Sequence, residues 1–204
     1  NLAGAGIADK RWTPTRKAEI LDSRVRATRA VVSAIAAVRA PPHVLINSSA
    51  AGIYGNRGDQ PATEETAPGS DFLATVCRQW ELGANAAAGI TRVVLVRSGV
   101  DLDRDDGALP QMALPFRFFA GGPVGSGRQY LSWIHRDDWV RMVQWATTEA
   151  AVPGPLNATA PAPVTNAEFT RALGRAMGRP ALMPVPGFAL GLAFGGLADA
   201  LLLG

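Results

Sequence analysis

Two short runs of branched apolar residues, each preceded by a stretch of helical length, limit the folds open to this chain more than any other feature. The runs lie at residues 43–48 (HVLINS) and 91–97 (TRVVLVR). Apolar runs of this length, bounded by turn-forming residues, are typical of strands buried on both faces. Because helix and strand alternate with short links, the sequence predicts an α/β fold, with a parallel sheet and crossover helices.

The first helix has clear start and stop signals. Thr13 and Pro14 are typical of an N-cap followed by the first helical residue, and prolines at 41 and 42 end the pattern that runs to about Val38. The apolar residues expected on its inner face are Ile20, Leu21, Val25, Ala27, Val31 and Ile35. A second helix is predicted from Ser70 and Asp71 to about Ala88, after a long loop at 50–70.

After residue 97 the pattern loosens into shorter elements. In chain order we predict a short helical stretch around Pro110 and Pro115, a Gly-rich loop at 121–127, an extended segment at 130–135, a helix from Asp137, a strand at 156–158 and a helix ending near Gly178. The last helix opens with Thr165 and Glu168 at the spacing of a capping box.

Composition excludes several classes of protein. Hydrophobic residues make up 48% and charged residues 18%, which excludes a disordered chain. The single cysteine, Cys77, excludes a disulfide framework and any multi-cysteine metal site, and His43 has no neighbouring candidate ligand, so no metal site is expected. A net charge of +3 is too small to indicate a nucleic-acid partner.

The apolar stretch at 187–204 has two interpretations. It could be a membrane helix, or a core or subunit-contact helix. We favour the second, because the stretch carries Asp199 and several glycines and is short for a membrane span. No signal peptide opens the chain, so we expect a cytoplasmic protein with no membrane partner.

Two Gly-rich segments are rejected as phosphate-binding loops. Gly52, Gly55 and Gly58 have the three-glycine spacing of a dinucleotide fingerprint and follow a predicted strand. The mechanism needs the last glycine to open a helix whose N-terminus meets the pyrophosphate, and no helical pattern follows Gly58. The segment 121–127 lacks both the leading strand and the following helix.

Several longer motifs carry a resemblance to a known family. NLAG (1–4), SSAAGIYG (48–55), VRSGV (96–100) and WIHRDD (133–138) resemble, in this order, the extended short-chain dehydrogenase/reductases. ADKRWT (8–13), the Trp80-Glu81 pair and GGPVGSGRQY (121–130) are similar to the atypical "epimerase family" branch, which carries a C-terminal tail of unknown function. The resemblance implies the C-terminal portion of an NAD(P)-binding Rossmann-type doubly wound parallel sheet. A smaller, mostly helical substrate-side region would follow it.

The resemblance also implies that the phosphate loop lies upstream of Asn1. The first methionine, Met112, agrees with a start elsewhere, and the family tail continues beyond Gly204. We therefore expect residues 1–105 to be the remainder of the dinucleotide-binding domain. Residues 106–204 would be the substrate side and the start of the tail, with 132–160 returning to the sheet.

The usual catalytic residues are missing. Short-chain dehydrogenases use Ser or Thr with a Tyr-x-x-x-Lys pair, in which the lysine cation lowers the tyrosine pKa. The only lysines are Lys10 and Lys17, so neither Tyr54 nor Tyr130 has a lysine four residues later. By resemblance, the Ser/Thr, Tyr and Lys positions fall on Ala50, Leu73 and Cys77. The catalytic residues are left unassigned, with Ser49, Cys77 and His135 as weak candidates; a lone buried cysteine more often packs in a core.

The resemblance and the strand ends together give the candidate binding residues. The cofactor, NADP or NAD, is expected at Asn1, Leu2, Ala3, Gly4, Ser48, Ser49, Ala50, Tyr54, Cys77, Arg97, Ser98 and Gly99. The substrate is expected at Arg128, Gln129, Tyr130 and His135. Purely structural roles stay open: the serines could cap a turn, Arg97 could cover the sheet edge, Arg128 could be solvated and His135 could be a hydrogen-bonded structural residue.

Two functions remain at this point. The first is an NAD(P)-dependent epimerase/dehydratase-like oxidoreductase with atypical catalytic residues, a small-molecule substrate and a possible homodimeric state. The second is a dinucleotide-binding sensor or scaffold without turnover. The 204-residue chain by itself is expected to bind cofactor poorly, because it lacks a phosphate loop.

Overall fold

Three parallel strands form the central sheet of the computed structural model, which describes residues 1–152, 154–185, 188 and 195–198. They are β1 (Val44–Ala50), β2 (Arg92–Ser98) and β6 (Pro155–Ala158), in the order β1-β2-β6. Ser49 is paired with Arg97, and Arg97 with Asn157, so these strands end at the same edge. The predicted parallel α/β fold is confirmed.

The helices and the smaller sheets complete the described fold. The helices are α1 (Pro14–Ala37), α2 (Phe72–Asn85), α3 (Ala108–Arg117), α4 (Arg136–Thr148) and α5 (Asn166–Met177). The remaining strands are β3 (Val100–Leu102), β4 (Tyr130–Leu131), β5 (Trp133–His135) and β7 (Val164–Thr165). β3 pairs with β5 in parallel and β4 with β7 in antiparallel fashion, while the strand at β6, inside residues 132–160, lies in the central sheet.

The sheet is covered on both faces. Leu45, Val93 and Leu95 pack against Ile35 of α1 and Ala84 of α2. Val94 and Val96 pack on the other side, against Ile134 of β5 and Ala146 of α4. Burial on both faces explains why β1 and β2 have nearly continuous apolar sequences.

Most predicted boundaries hold to within a few residues, but the prediction lacks three short elements: the strands β3 and β7 and a 3-10 helix. A short 3-10 helix (Ala51–Tyr54) lies where we predict only loop, because Ile53 and Tyr54 are buried. The next helix after Gly58, α2, begins only at Phe72, so Gly58 does not open a helix as the last glycine of a phosphate loop would. The capping box of α5 is present, and Gly178 ends the helix with a positive φ of 62°.

The inner face of α1 differs from the expected apolar one. Its buried residues are Arg16, Ile20, Arg24, Thr28 and Ile35, whereas Leu21, Val25, Ala27 and Val31 are only half-buried. Two arginines can occupy this face because their guanidinium groups reach backbone carbonyls of the loop at 1–8: Arg16 donates to Gly6 O and Arg24 to Ala5 O.

The question of the apolar C-terminal stretch falls mostly outside the described residues. Of residues 187–204, the structure describes only 188 and 195–198. Leu197 is buried against Trp12, Ile20 and Val76. In the part of the chain that the structure describes, no helix has both the length and the apolar character needed to cross a membrane.

The central strand offers a test of the packing. Val94 is fully buried, so Val94→Thr places a hydroxyl where no water reaches it, and we expect the free energy of unfolding to fall by about 1–3 kcal/mol. Val140→Thr on α4, where the side chain is 41% exposed, is the matched control and should change it by less than about 0.5 kcal/mol. Urea unfolding measures both, and equal effects would contradict this description of the core.

Candidate functional site at the carboxyl edge of the sheet

The loop at residues 1–6 lies beside the end of β1. The Asn1 amino group donates to Ile46 O at 2.6 Å, and the Ser48 amide donates to Asn1 O at 2.9 Å. The Asn1 side chain donates to Thr28 Oγ1 and to Asn47 Oδ1, at 3.0 and 2.7 Å. Leu2, Ala3 and Gly4 are exposed. The predicted cofactor-binding loop is therefore fixed at the carboxyl edge by its first residue.

A buried ion pair joins α2 to the end of β2. Arg97 donates from Nε to Glu81 Oε1 and from Nη2 to Glu81 Oε2, both at 2.9 Å. The two side chains are only 8% and 9% exposed. The carboxylate raises the pKa of Arg97 against the opposing effect of burial. Two parallel hydrogen bonds fix both the distance and the angle between the groups.

The remaining donors of Arg97 extend this pair toward β6. Nη1 donates to Tyr54 Oη at 2.9 Å and to Glu64 O at 3.0 Å. Tyr54 in turn donates to Asn157 Oδ1 at 2.6 Å, and the Asn157 amide donates to Glu64 Oε1 at 2.8 Å. Arg97 and Tyr54, both predicted as cofactor contacts, therefore already have protein partners at the strand ends.

Ser49 and Cys77 lie next to the ion pair. Ser49 is 2% exposed, and its hydroxyl donates to Glu81 Oε1 at 2.6 Å. Burial raises the pKa of the Cys77 thiol to about 11, against the opposing influence of hydrogen bonds with Ala50 and Ser49. A neutral thiol at pH 7 is a poor nucleophile, so the environment of Cys77 resembles that of a packed core residue.

The three positions assigned by resemblance to the catalytic residues are apolar and close together. Ala50 and Cys77 pack in one cluster with Ile53 and Tyr54. Leu73 lies against Gly52, where a Cβ would meet the Leu73 Cβ at 3.5 Å. None of Ala50, Leu73 and a protonated Cys77 can act as a strong general acid or base here.

The other predicted cofactor residues lie at the same edge and differ in how firmly hydrogen bonds and packing hold them. Ser98 Oγ accepts a hydrogen bond from Trp139 Nε1 at 2.8 Å. The Gly99 amide donates to Ala158 O, and a Cβ there would approach Ser132 O to 2.7 Å, so only glycine fits. Ser48 is half-buried, with its hydroxyl 3.4 Å from Ser49 O.

The predicted substrate residues lie in β4 and β5 and in the loop directly before β4. Arg128 and Tyr130 are exposed, and the backbone of Tyr130 pairs with Thr165. Gln129 Nε2 donates to Val124 O at 2.9 Å. His135 is the N-cap of α4, where Nδ1 accepts from the Asp137 amide at 3.1 Å. In the described residues, no hydrogen bond joins Arg128, Tyr130 or His135 to the Arg97 network.

One buried cation at this edge has no acidic partner among the described residues. Arg24 is 7% exposed, and its Nη1 donates to Ala5 O and Ile20 O at 2.9 and 3.0 Å. Its guanidinium carbon lies 5.0 Å from the centre of the Trp80 ring. Burial lowers the pKa of this arginine. Within the described part of the chain, no group of three His, Cys, Asp or Glu side chains could hold a metal ion.

Sequence reasoning missed several members of this site. Glu81 enters only through the resemblance, and Glu64, Asn157 and Arg24 are not among the predicted site residues. The usable signal was a charged residue within an apolar pattern: Glu81 lies on the inner face of α2, and Arg24 lies four residues after Ile20 on that of α1. Their partners come from distant segments, which no local pattern indicates.

The fold and the edge define a Rossmann-type α/β protein, and comparison with known proteins identifies the family. The model of the NAD dependent epimerase/dehydratase family matches residues 1–158. The chain is 43% identical to epimerase family protein ML0860 of Mycobacterium leprae over all of this chain and 66% of that protein. It is 44% identical to a chloroplastic epimerase family protein SDR39U1 homologue of Arabidopsis thaliana, over all of this chain and 59% of the relative.

Solved structures agree with this relationship. The crystal structure of human epimerase family protein SDR39U1 with NADPH has a TM-score of 0.93 and 36% identity, covering 98% of this chain and 69% of that one. A nucleoside-diphosphate sugar epimerase from Corynebacterium glutamicum has a TM-score of 0.73 and 33% identity, covering 94% and 43%. The chain therefore belongs to the NAD-dependent epimerase/dehydratase family, as its motifs predict, and spans about two thirds or less of the two curated relatives named above.

The ion pair can be tested by a double-mutant cycle. Arg97→Met leaves the Glu81 carboxylate buried without its cation, so the free energy of unfolding should fall by about 3–5 kcal/mol. Adding Glu81→Leu removes the uncompensated charge and should restore a large part of that loss. Urea unfolding of the single and double variants measures the coupling.

The exposed pair Arg141–Asp138 on α4 is the matched control for this cycle. Its nitrogen and oxygen are also 2.9 Å apart, but the side chains are 73% and 61% exposed. Arg141→Met should therefore change the free energy of unfolding by about 0.5 kcal/mol or less. Equal losses for Arg97→Met and Arg141→Met would show that the buried pair has no special role.

The raised pKa of Cys77 predicts an alkaline loss of stability. Because the folded-state pKa is about 11 and the ordinary value is 9.0, the thiol's contribution is fully present below pH 9 and is lost as the pH rises toward 11. The free energy of unfolding should fall more steeply over pH 9–11 in the unmodified protein than in Cys77→Ala. Identical pH profiles of unfolding for the two proteins would contradict the assigned environment.

Proposed function

We propose that the protein carrying this chain binds NADPH and is an epimerase/dehydratase-like oxidoreductase whose site lacks the usual Ser-Tyr-Lys residues. The observation that carries this proposal is the likeness to human epimerase family protein SDR39U1, which was crystallised with NADPH and has a TM-score of 0.93. The match extends over 98% of this chain, so it includes the loop at 1–6 and the ends of β1 and β2.

The carboxyl edge suits such a cofactor. In open α/β sheets, ligands bind outside the carboxyl ends of the strands. Here Asn1–Gly4, Ser48 and Gly99 would line the site, and Arg24 beside the loop, which has no acidic partner among the described residues, agrees with an anionic ligand. When bound, the cofactor supplies hydride transfer. The chain's part would be to bind and orient the cofactor, with the uncharged residues Ala50, Leu73 and Cys77 at the acid/base positions.

The proposal also assigns the cofactor and the substrate to different parts of the chain. Residues 1–105 would contribute the cofactor side, and residues 106–204 the substrate side, with a small molecule held near Arg128, Gln129 and Tyr130. Exposure of Arg128 and Tyr130 supports that placement. A cytoplasmic location and a homodimeric state are proposed with it, and light scattering of the purified protein tests the oligomeric state.

A second function is supported by a specific observation. The positions that match the family's acid/base residues carry Ala50, Leu73 and Cys77, and Tyr54 is already engaged by Arg97 and Asn157. A protein with this site could bind the dinucleotide as a sensor or scaffold without turnover. Hydride exchange or epimerisation with any carbonyl compound or sugar nucleotide would exclude that function.

Cofactor binding is tested by titrating the full protein with NADPH and following its fluorescence. We expect saturable binding below millimolar cofactor. Gly4→Val should weaken it at least about fivefold, because a Cβ at Gly4 would meet Arg24 Cγ at 2.8 Å and displace the loop or the arginine.

Gly89→Val is the control for that titration. Gly89 lies at the amino edge of the sheet, and a Cβ there meets no atom within 4 Å. Its NADPH affinity should stay within about twofold of the unmodified protein. Absence of binding by the unmodified protein at millimolar NADPH would reject the proposed function.

A further inference from the structure

Arg24 differs from the other buried arginines of the described chain in having no carboxylate partner. Arg16, Arg24 and Arg97 are each 6–7% exposed. Arg16 is paired with Glu19 and lies near Asp9, and Arg97 is paired with Glu81. Arginine stays charged in proteins, and a buried charge without an opposite charge is strongly unfavourable. The position of Arg24 therefore calls for an anion that the described residues do not supply.

The hydrogen bonds of Arg24 leave part of its guanidinium available. Nη1 is used by Ala5 O and Ile20 O, which hold the side chain against the loop at 1–6. Among the described residues, Nε and Nη2 have no hydrogen-bond acceptor. Two carbonyls thus orient the group while two donor-bearing nitrogens stay open to a ligand.

A second unsatisfied donor lies beside it. Trp80 is 5% exposed, and its buried Nε1 has no hydrogen-bond partner in the part of the chain that the structure describes. The Arg24 guanidinium lies 5.0 Å from the ring centre, and Trp80 follows Cys77 by three residues on α2. A buried N–H group without an acceptor is uncommon, because it loses its hydrogen bond to water on folding. Two neighbouring side chains therefore each carry donor groups for which the described residues supply no acceptor.

The loop is shaped to approach this pair closely. A Cβ at Gly4 would meet Arg24 Cγ at 2.8 Å and the guanidinium carbon at 3.1 Å, so the bare backbone of Gly4 lies directly on the arginine. Gly4 belongs to the loop that the proposed function places against the cofactor. Arg24 hence lies between the Trp80 ring and this loop.

We infer that Arg24 and Trp80 form a subsite for an anionic oxygen of the dinucleotide cofactor, next to the loop at residues 1–6. This inference rests on the proposed function and adds to it the source of the positive charge, in a chain whose only lysines are Lys10 and Lys17. An anionic substrate offers the same oxygen chemistry, and the cofactor titration separates the two sources.

The test is NADPH binding by the full protein and its variants, measured by fluorescence at two salt concentrations. Arg24→Met keeps the length of the side chain and removes its charge, and we expect the NADPH dissociation constant to rise at least about tenfold, with a weaker dependence on salt. Arg24→Lys keeps the charge and should recover part of the affinity. Trp80→Phe keeps a ring and removes the N–H, and should weaken binding about fivefold.

The matched control is Arg26→Met, which removes one positive charge from the exposed side of α1, two residues away. Its affinity should stay within about twofold of the unmodified protein. Thermal unfolding is measured without cofactor for each variant, so that a variant that does not fold is recognised. If Arg24→Met does not fold, the NADPH affinities of Arg24→Lys and Trp80→Phe test the inference.

Two failures are distinguishable. If the unmodified protein binds NADPH and the folded Arg24 and Trp80 variants bind it within twofold as well, the inference is wrong, even where their unfolding temperatures fall; the arginine then has a structural role or serves an anionic substrate. If the unmodified protein does not bind NADPH, the proposed function is rejected and the inference with it.

Discussion

The bidentate pair between Arg97 and Glu81 is the interaction on which the geometry of the carboxyl edge depends. It joins the end of β2 to the middle of α2 and leaves one guanidinium nitrogen to hold Tyr54 and the carbonyl of Glu64. The same carboxylate accepts the Ser49 hydroxyl from the end of β1. Four segments that are distant in sequence thus meet around one arginine.

A buried pair of this kind is better understood as a constraint than as a source of stability. Its Coulomb energy is largely offset by the cost of removing two ions from water, whereas the loss of one partner is severe. Because each oxygen of Glu81 is directed at a particular nitrogen, small rotations of α2 break the pair. The pair therefore fixes where Cys77 and Trp80, on the same helix, lie relative to the strand ends.

Ala50, Leu73 and Cys77, which the resemblance assigns to the acid/base positions, are uncharged, although Cys77 lies next to the Glu81–Arg97 pair. Ala50 and Cys77 pack in one apolar cluster and Leu73 in another, while charged groups lie in the Arg97 network and, beside the loop, at Arg24. A phenol that already donates to Asn157 and accepts from Arg97 is bound in place. Tyr54 and the strand ends around it are thus held in fixed positions by the protein itself.

Local sequence patterns predict the sheet. The site contacts that they do not predict join residues that are distant in the sequence. The runs at β1 and β2 are apolar because both faces are covered, and the caps at Thr13, Asp71 and Thr165 are short-range signals. The burial of Arg24 depends on carbonyls of the loop at 1–6, and the role of Asn157 depends on Tyr54, 103 residues earlier. Such pairings follow from the fold, and no short segment of the sequence predicts them.

The most direct test of this account is a crystal structure of the full protein with NADPH bound. The account predicts the cofactor along the loop at 1–6 and the ends of β1 and β2, with one of its anionic oxygens within hydrogen-bond distance of Arg24 and with Ala50 and Cys77 beside it. Cofactor bound instead at the opposite, amino edge of the sheet, in the shallow depression of about 390 Å³ lined by Pro42, His43 and Arg92, would contradict it.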